Sequence, residues 1–144
     1  MEKNQSNSQT IVASEKQNIE EVIKDSICWA LSKDIERLFK VMAGDENLII
    51  VNPDDSKISG ITEFRKHSEL WMDPRFEATE FNMRELSLNL SESKTVAWFS
   101  CRMDDLALWE GKQCGWENIR WTGVLEKREN RWQVVQMHFS FPKE

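Results

Sequence analysis

Arg120 and His138 form the sharpest polar constellation in the sequence. An arginine can bind a carboxylate, and an imidazole beside it can transfer protons at neutral pH. The alternative reading is a hydrogen-bonded cross-strand pair at a subunit interface. Few other groups can share such work, because the chain has two His, no Tyr, seven Trp and seven Phe. No phenol is available as an acid or oxyanion donor, whereas Trp stacks, fills pockets and donates one N–H. Phe64, Trp71, Trp98, Trp121 and Phe139 are the candidate lining of an aromatic cavity, or else plain core. Ser100 and Arg102, on the Trp98 side of their strand, would be the polar groups that orient a ligand.

Other chemistries find less support. Cys101, Cys114, His67 and His138 lack ligand-like spacing, so no metal site is expected, and no EF-hand pattern offers calcium a loop. There is no nucleophile elbow and no Gly-rich phosphate loop, so neither a serine hydrolase nor a nucleotide cofactor is indicated. Asp54-Asp55 and Asp104-Asp105 read as solvated pairs beside loops, and His67 as an exposed helical residue.

A net charge of −6 and a pI near 5.1 oppose the basic footprint that nucleic acid or an anionic membrane requires. No run approaches the roughly 20 apolar residues that cross a bilayer, and MEKNQSNSQT lacks a signal-peptide core. Three cysteines with no framework spacing read as reduced thiols, which places the protein in the cytoplasm. A length of 144 residues suits one domain: a disordered tail over 1–12, then a single domain over 13–144.

The elements that must position these residues follow from periodicity. Ser14-Glu15-Lys16-Gln17 is a capping box, which predicts a helix starting there with Ile19, Val22, Ile23, Ile27, Ala30 and Leu31 on its apolar stripe. Ile35, Leu38, Phe39 and Met42 mark a second helix, with Gly44 expected as a left-handed cap. Leu48–Val51 is a short strand, and residues 60–71 form a third helix ended by Asp73-Pro74. Four long strands follow over about 75–90, 94–106, 116–128 and 131–141. Helices first and a meander afterwards is an α+β order.

Along 131–141, Val135, Met137, Phe139 and Phe141 alternate with polar residues and are expected to face the core. A three-residue loop at Arg128-Glu129-Asn130 would set Arg120 opposite His138 and Thr122 opposite Gln136. In 94–106 both sides carry apolar bulk: one side, with Trp98, is read as cavity, and the other, Ala97, Phe99, Cys101 and Met103, as a subunit contact. No acid falls on a strand position read as facing the core.

This layout resembles the SnoaL-like branch of the nuclear transport factor 2-like superfamily and, more distantly, the association domain of calcium/calmodulin-dependent protein kinase II. The resemblance rests on DIERLFKVMAGDENLIIVNPDDSKISGITEF at 34–64, TVAWFSCR at 95–102 and IRWTGVLEKRENRWQVVQMHFS at 119–140. It implies a cone-shaped fold whose N-terminal helices and strongly bent antiparallel sheet enclose a hydrophobic cavity, often in a homodimer packed sheet to sheet. Catalytic members use an Asp or an Asp–His pair in that cavity, while other members only bind or assemble. Where the kinase domain carries pocket arginines, this chain has Ser100, Gly123 and Phe139. Three functions stay open: binding of a small, largely apolar molecule, an isomerase, cyclase or dehydratase working in the same cavity, and a dimerisation or assembly module.

Overall fold

The computed structural model describes residues 2–143, with side chains from residue 9 onward. Helix α1 spans Glu2–Cys28 and runs into a single 3-10 turn at Trp29–Leu31. It starts well before the capping box, so Ser14 is an interior residue and Glu15 works across the fold instead, accepting from Lys127 Nζ at 2.8 Å. The tail expected over residues 1–12 falls largely outside the residues whose side chains are described. Ile19 and Ile23 are fully buried, as the stripe requires.

Lys33 turns the chain with a left-handed backbone (φ 55), and the Asp34 carboxylate caps α2 (Ile35–Val41) by accepting from Arg37 N–H at 3.3 Å. The expected left-handed cap at Gly44 is absent: α2 ends because Met42 becomes extended and bridges to Val134, with Ala43 N–H donating to the Val134 carbonyl at 2.9 Å. β1 (Ile49–Val51) and β2 (Lys57–Ser59) form a small hairpin, and α3 runs Gly60–Met72. Glu63 accepts from Ser59 N–H at 2.8 Å at the start of α3, while Ile61, Phe64 and Ser68 form its buried face.

β3 (Phe76–Leu90), β4 (Val96–Trp109), β5 (Lys112–Arg128) and β6 (Arg131–Ser140) complete one six-stranded sheet, ordered β2-β1-β6-β5-β4-β3. The predicted meander is therefore extended at one side by β1, which runs parallel to β6. Register shifts interrupt every long pairing, and such bulges bend and twist a sheet. The sheet curls, and the helices fill its concave side.

Two registers differ from expectation. The β5–β6 turn is the two-residue Glu129-Asn130, both left-handed (φ 50 and 66), with Arg128 opposite Arg131. A bulge at Val135 then shifts the pairing again, so Thr122 lies opposite His138 and Arg120 opposite Ser140. The bulge also changes which β6 residues face inward. Trp132, Val134, Met137 and Phe139 are buried, Val135 is displaced from the inward row, and Phe141 is 48% exposed beyond the strand.

Candidate functional site: an aromatic cavity with one carboxyl

β4 determines the site. Ala97, Phe99, Cys101 and Met103 are at most 5% exposed and face the helices, whereas Trp98 is 45% exposed on the outer face. The assignment of these two faces is thus the reverse of that expected. The inward row continues unbroken through Asp105 to Ala107, so an acid faces the interior where a solvated turn residue was expected.

Between the sheet, α1, the 3-10 turn and α3 lies a cavity of about 210 Å³. Six rings, those of Trp29, Phe64, Trp71, Phe76, Trp116 and Phe139, line it together with aliphatic side chains such as Ile50, Ile58 and Met137. Trp71 is edge-on to both Trp29 (centroids 6.1 Å apart) and Phe64 (5.7 Å), and Trp116 lies 4.9 Å from Phe139. Such edge and offset contacts fix ring orientations.

Among the described residues, three polar ones reach this wall: Ser26, Asn52 and Asp105. Ser26 donates its hydroxyl proton to the Ile23 carbonyl at 2.6 Å, and Asn52 Nδ2 donates to Ser56 Oγ at 3.0 Å. Asp105 is different. Burial alone pushes its carboxyl up to about 7, because charge in an apolar surrounding loses hydration. Among the described residues, no positive side chain lines the cavity. The neighbouring Asp104 points outward, and there the Arg84 guanidinium and the Asn118 N–H hold its carboxyl below the usual range. Two adjacent aspartates on opposite faces of one strand are driven in opposite directions.

The residues singled out from sequence divide accordingly. Phe64, Trp71 and Phe139 are brought together in the cavity wall. Trp121 is fully buried behind it, stacked 6.0 Å from Phe139, its indole N–H donating to Met137 Sδ at 3.3 Å. Trp98, Ser100 and Arg102 lie outside, Arg102 donating to the Asn118 carbonyl at 3.3 Å. Arg120 and His138 are exposed on the outer face, and Arg120 donates to the Phe141 carbonyl at 3.2 Å. Neither reaches the cavity. His67 is half-buried with its ring 6.4 Å from that of Trp71. Cys101 is buried and its thiol is pushed up to about 12 by that burial, so it is a poor nucleophile. Among the described residues, no group of three or more His, Cys, Asp or Glu is placed to hold a metal ion.

The sequence matches the model of the SnoaL-like domain over residues 19–144. The chain belongs to the SnoaL-like domain family. No curated protein matches it. Among solved structures, this SnoaL-like domain is similar to a putative dehydratase from the NTF2-like family from Streptomyces avermitilis (TM-score 0.73, 15% identity, 92% of this chain and 99% of that one). It is similar also to an NTF2-like protein from Cytophaga hutchinsonii (0.72, 10%, 88% and 98%). A third is a putative Ca/calmodulin-dependent kinase II association domain from Exiguobacterium sibiricum (0.72, 8%, 90% and 94%). Identities this low show the fold. No helix of the described residues is long and apolar enough to cross a membrane.

Proposed function

We infer that this SnoaL-like domain binds a small, largely apolar organic molecule in the cavity and that Asp105 exchanges a proton with it, as an isomerase or dehydratase would require. The observation that carries this reading is the inward Asp105 carboxyl, its pKa raised by burial to about 7, in a wall otherwise built of aromatic and aliphatic side chains with Ser26 and Asn52 as the other polar groups described. A general acid–base works best when its pKa lies near the operating pH. At about 210 Å³ the cavity falls below the roughly 300–1,000 Å³ of drug-sized sites, so the ligand is small. A carboxylate ligand would meet no counter-charge and would face Asp105, so a carbonyl or hydroxyl compound fits better. The second Asn52 N–H is the donor we assign to the ligand oxygen.

The outer sheet face, with exposed Trp98, supports a homodimer through the sheet, and free Cys28, Cys101 and Cys114 suit a reducing cytoplasm. The test is a thermal-shift panel of small uncharged carbonyl and hydroxyl compounds against their carboxylate analogues. Stabilisation by uncharged members, lost when Ala107→Trp fills the cavity, is the expected result. Stabilisation by the carboxylates alone, or stabilisation that survives Ala107→Trp, would overturn the reading.

A further inference from the structure

Trp116 reaches the cavity only because β5 contains one residue more than β4 requires. Phe99 to Met103 pair with Gly123 to Ile119 in constant register, and that register, continued, would set Glu117 opposite Asp105. Instead Asp105 pairs with Trp116, and the extra residue is absorbed between Met103 and Asp105. Asn118 takes up the bulge with a left-handed backbone (φ 54), a conformation Asn tolerates better than most residues. Its N–H leaves the ladder and needs a new acceptor.

That acceptor is Asp104, whose Oδ1 lies 2.7 Å from Asn118 N. Arg84 completes the arrangement from the next strand: Nη1 and Nη2 donate to the two Asp104 oxygens at 2.9 and 3.1 Å, and Nη2 also donates to Asn118 Oδ1 at 2.9 Å. The cluster ties β3, β4 and β5 together at the bulge. The Arg84 and Asp104 side chains are 36% and 19% exposed, and pairs so open to solvent add little stability. Their geometry is better suited to fixing a backbone shape, since a bidentate guanidinium locks the carboxylate orientation.

We propose that Arg84 and Asp104 are positioning residues that hold the Asn118 bulge and thereby seat Trp116, in place of Glu117, against Asp105 in the cavity. This deepens the ligand-binding reading and rests on it for its functional consequence: an outer-face pair decides whether the wall beside the acid is aromatic or acidic. The groups that meet Asp105 are few. Phe81 is its partner on β3 and Trp116 its partner on β5, Cys114 on β5 feels its charge, and among the described residues no other charged side chain lines the cavity.

The experiment uses the full chain without ligand and follows two signals: the Asp105 carboxyl titration by carbon NMR, and the Trp116 indole N–H resonance, assigned with Trp116→Phe. In Asp104→Ala the indole resonance shifts. The Asp105 midpoint moves by about one pH unit or more, upward with Glu117 as its new neighbour and downward, through hydration, when Glu117→Gln is added. Asp104→Asn, which keeps an acceptor for Asn118 N–H, restores most of both signals. Arg128→Gln breaks a pair with Asp45 and Glu126 elsewhere on the sheet and moves neither. A folded Asp104→Ala with both signals unchanged overturns the proposal. Should Asp104→Ala fail to fold, the milder Arg84→Gln is judged by the same two signals. Because no ligand enters, failure here leaves the ligand-binding reading intact, and an inert ligand panel leaves this result intact.

Discussion

Asp105 and Asp104 share a sequence neighbourhood, and only the side of the strand separates their chemistry. For Asp105 the folded-state pKa is raised to about 7, so the folded protein binds more protons than the unfolded chain between the ordinary carboxylate range and neutrality. Its contribution is therefore fully present below the ordinary carboxylate pKa and is lost progressively as the pH rises from there to about 7. Removing the ionisable group isolates that effect: relative to the parent, Asp105→Asn is expected to gain about 2–3 kcal/mol of stability between pH 5 and pH 8, beyond the part of the penalty already present at pH 5. Urea unfolding of both proteins at the two pH values checks this, and equal differences at pH 5 and 8 would contradict it. Phe99 and Trp98 test the face assignment beside it. Phe99→Ala should cost about 3–5 kcal/mol as a buried aromatic deletion, while Trp98→Ala, being exposed, should leave the unfolding midpoint of the monomer almost unchanged.

Strands carry the information that pattern reading captured least. The four long strands and the third helix were legible in the sequence because period-two and helical alternation, bounded by turn residues, marks them clearly. The bulges were not, since an extra residue leaves no apolar or polar mark while changing every side chain's face beyond it. Val135 looked like core for that reason, and Trp116 was not picked out at all. Asp105 is masked for a different reason. Trp98 drew its face toward the cavity, although Ser100, Arg102 and Asp104 on that side were the more polar set and Ala97, Phe99, Cys101 and Met103 the more apolar. The strand read over 94–106 already contains Asp105, so the same contrast between the two rows puts the acid on the inward one.

Turn chemistry makes a further element-level prediction. Glu129 occupies a left-handed position in the β5–β6 turn, where a type I′ turn favours Asn followed by Gly. Glu129→Asn with Asn130→Gly should therefore raise stability by about 1 kcal/mol, read as a higher denaturation midpoint. Gly115 carries the opposite expectation. Its φ of +113 excludes ordinary side chains, and a Cβ there would collide with the Asp105 carbonyl. Gly115→Ala should lower stability by about 2 kcal/mol or more and disturb the cavity wall.

Across the whole molecule, the curled sheet presents two unlike faces: a concave one closed by helices around the cavity, and a convex one bearing Trp98, Arg102, Arg120 and His138. The convex face is the surface proposed for self-association. Trp98→Glu should then reduce the mass measured by sedimentation from dimer to monomer without unfolding the domain, whereas Phe99→Asp should unfold it, because its carboxylate would be buried without a partner. The concave face carries the central claim, that Asp105 moves a ligand proton. The direct measurement is deuterium uptake from heavy water at the carbon next to the carbonyl in a small apolar ketone that binds the cavity. The account predicts uptake that rises with pH through an inflection near 7 and is lost in Asp105→Asn while binding persists. Uptake of equal rate in Asp105→Asn and the parent protein would contradict it.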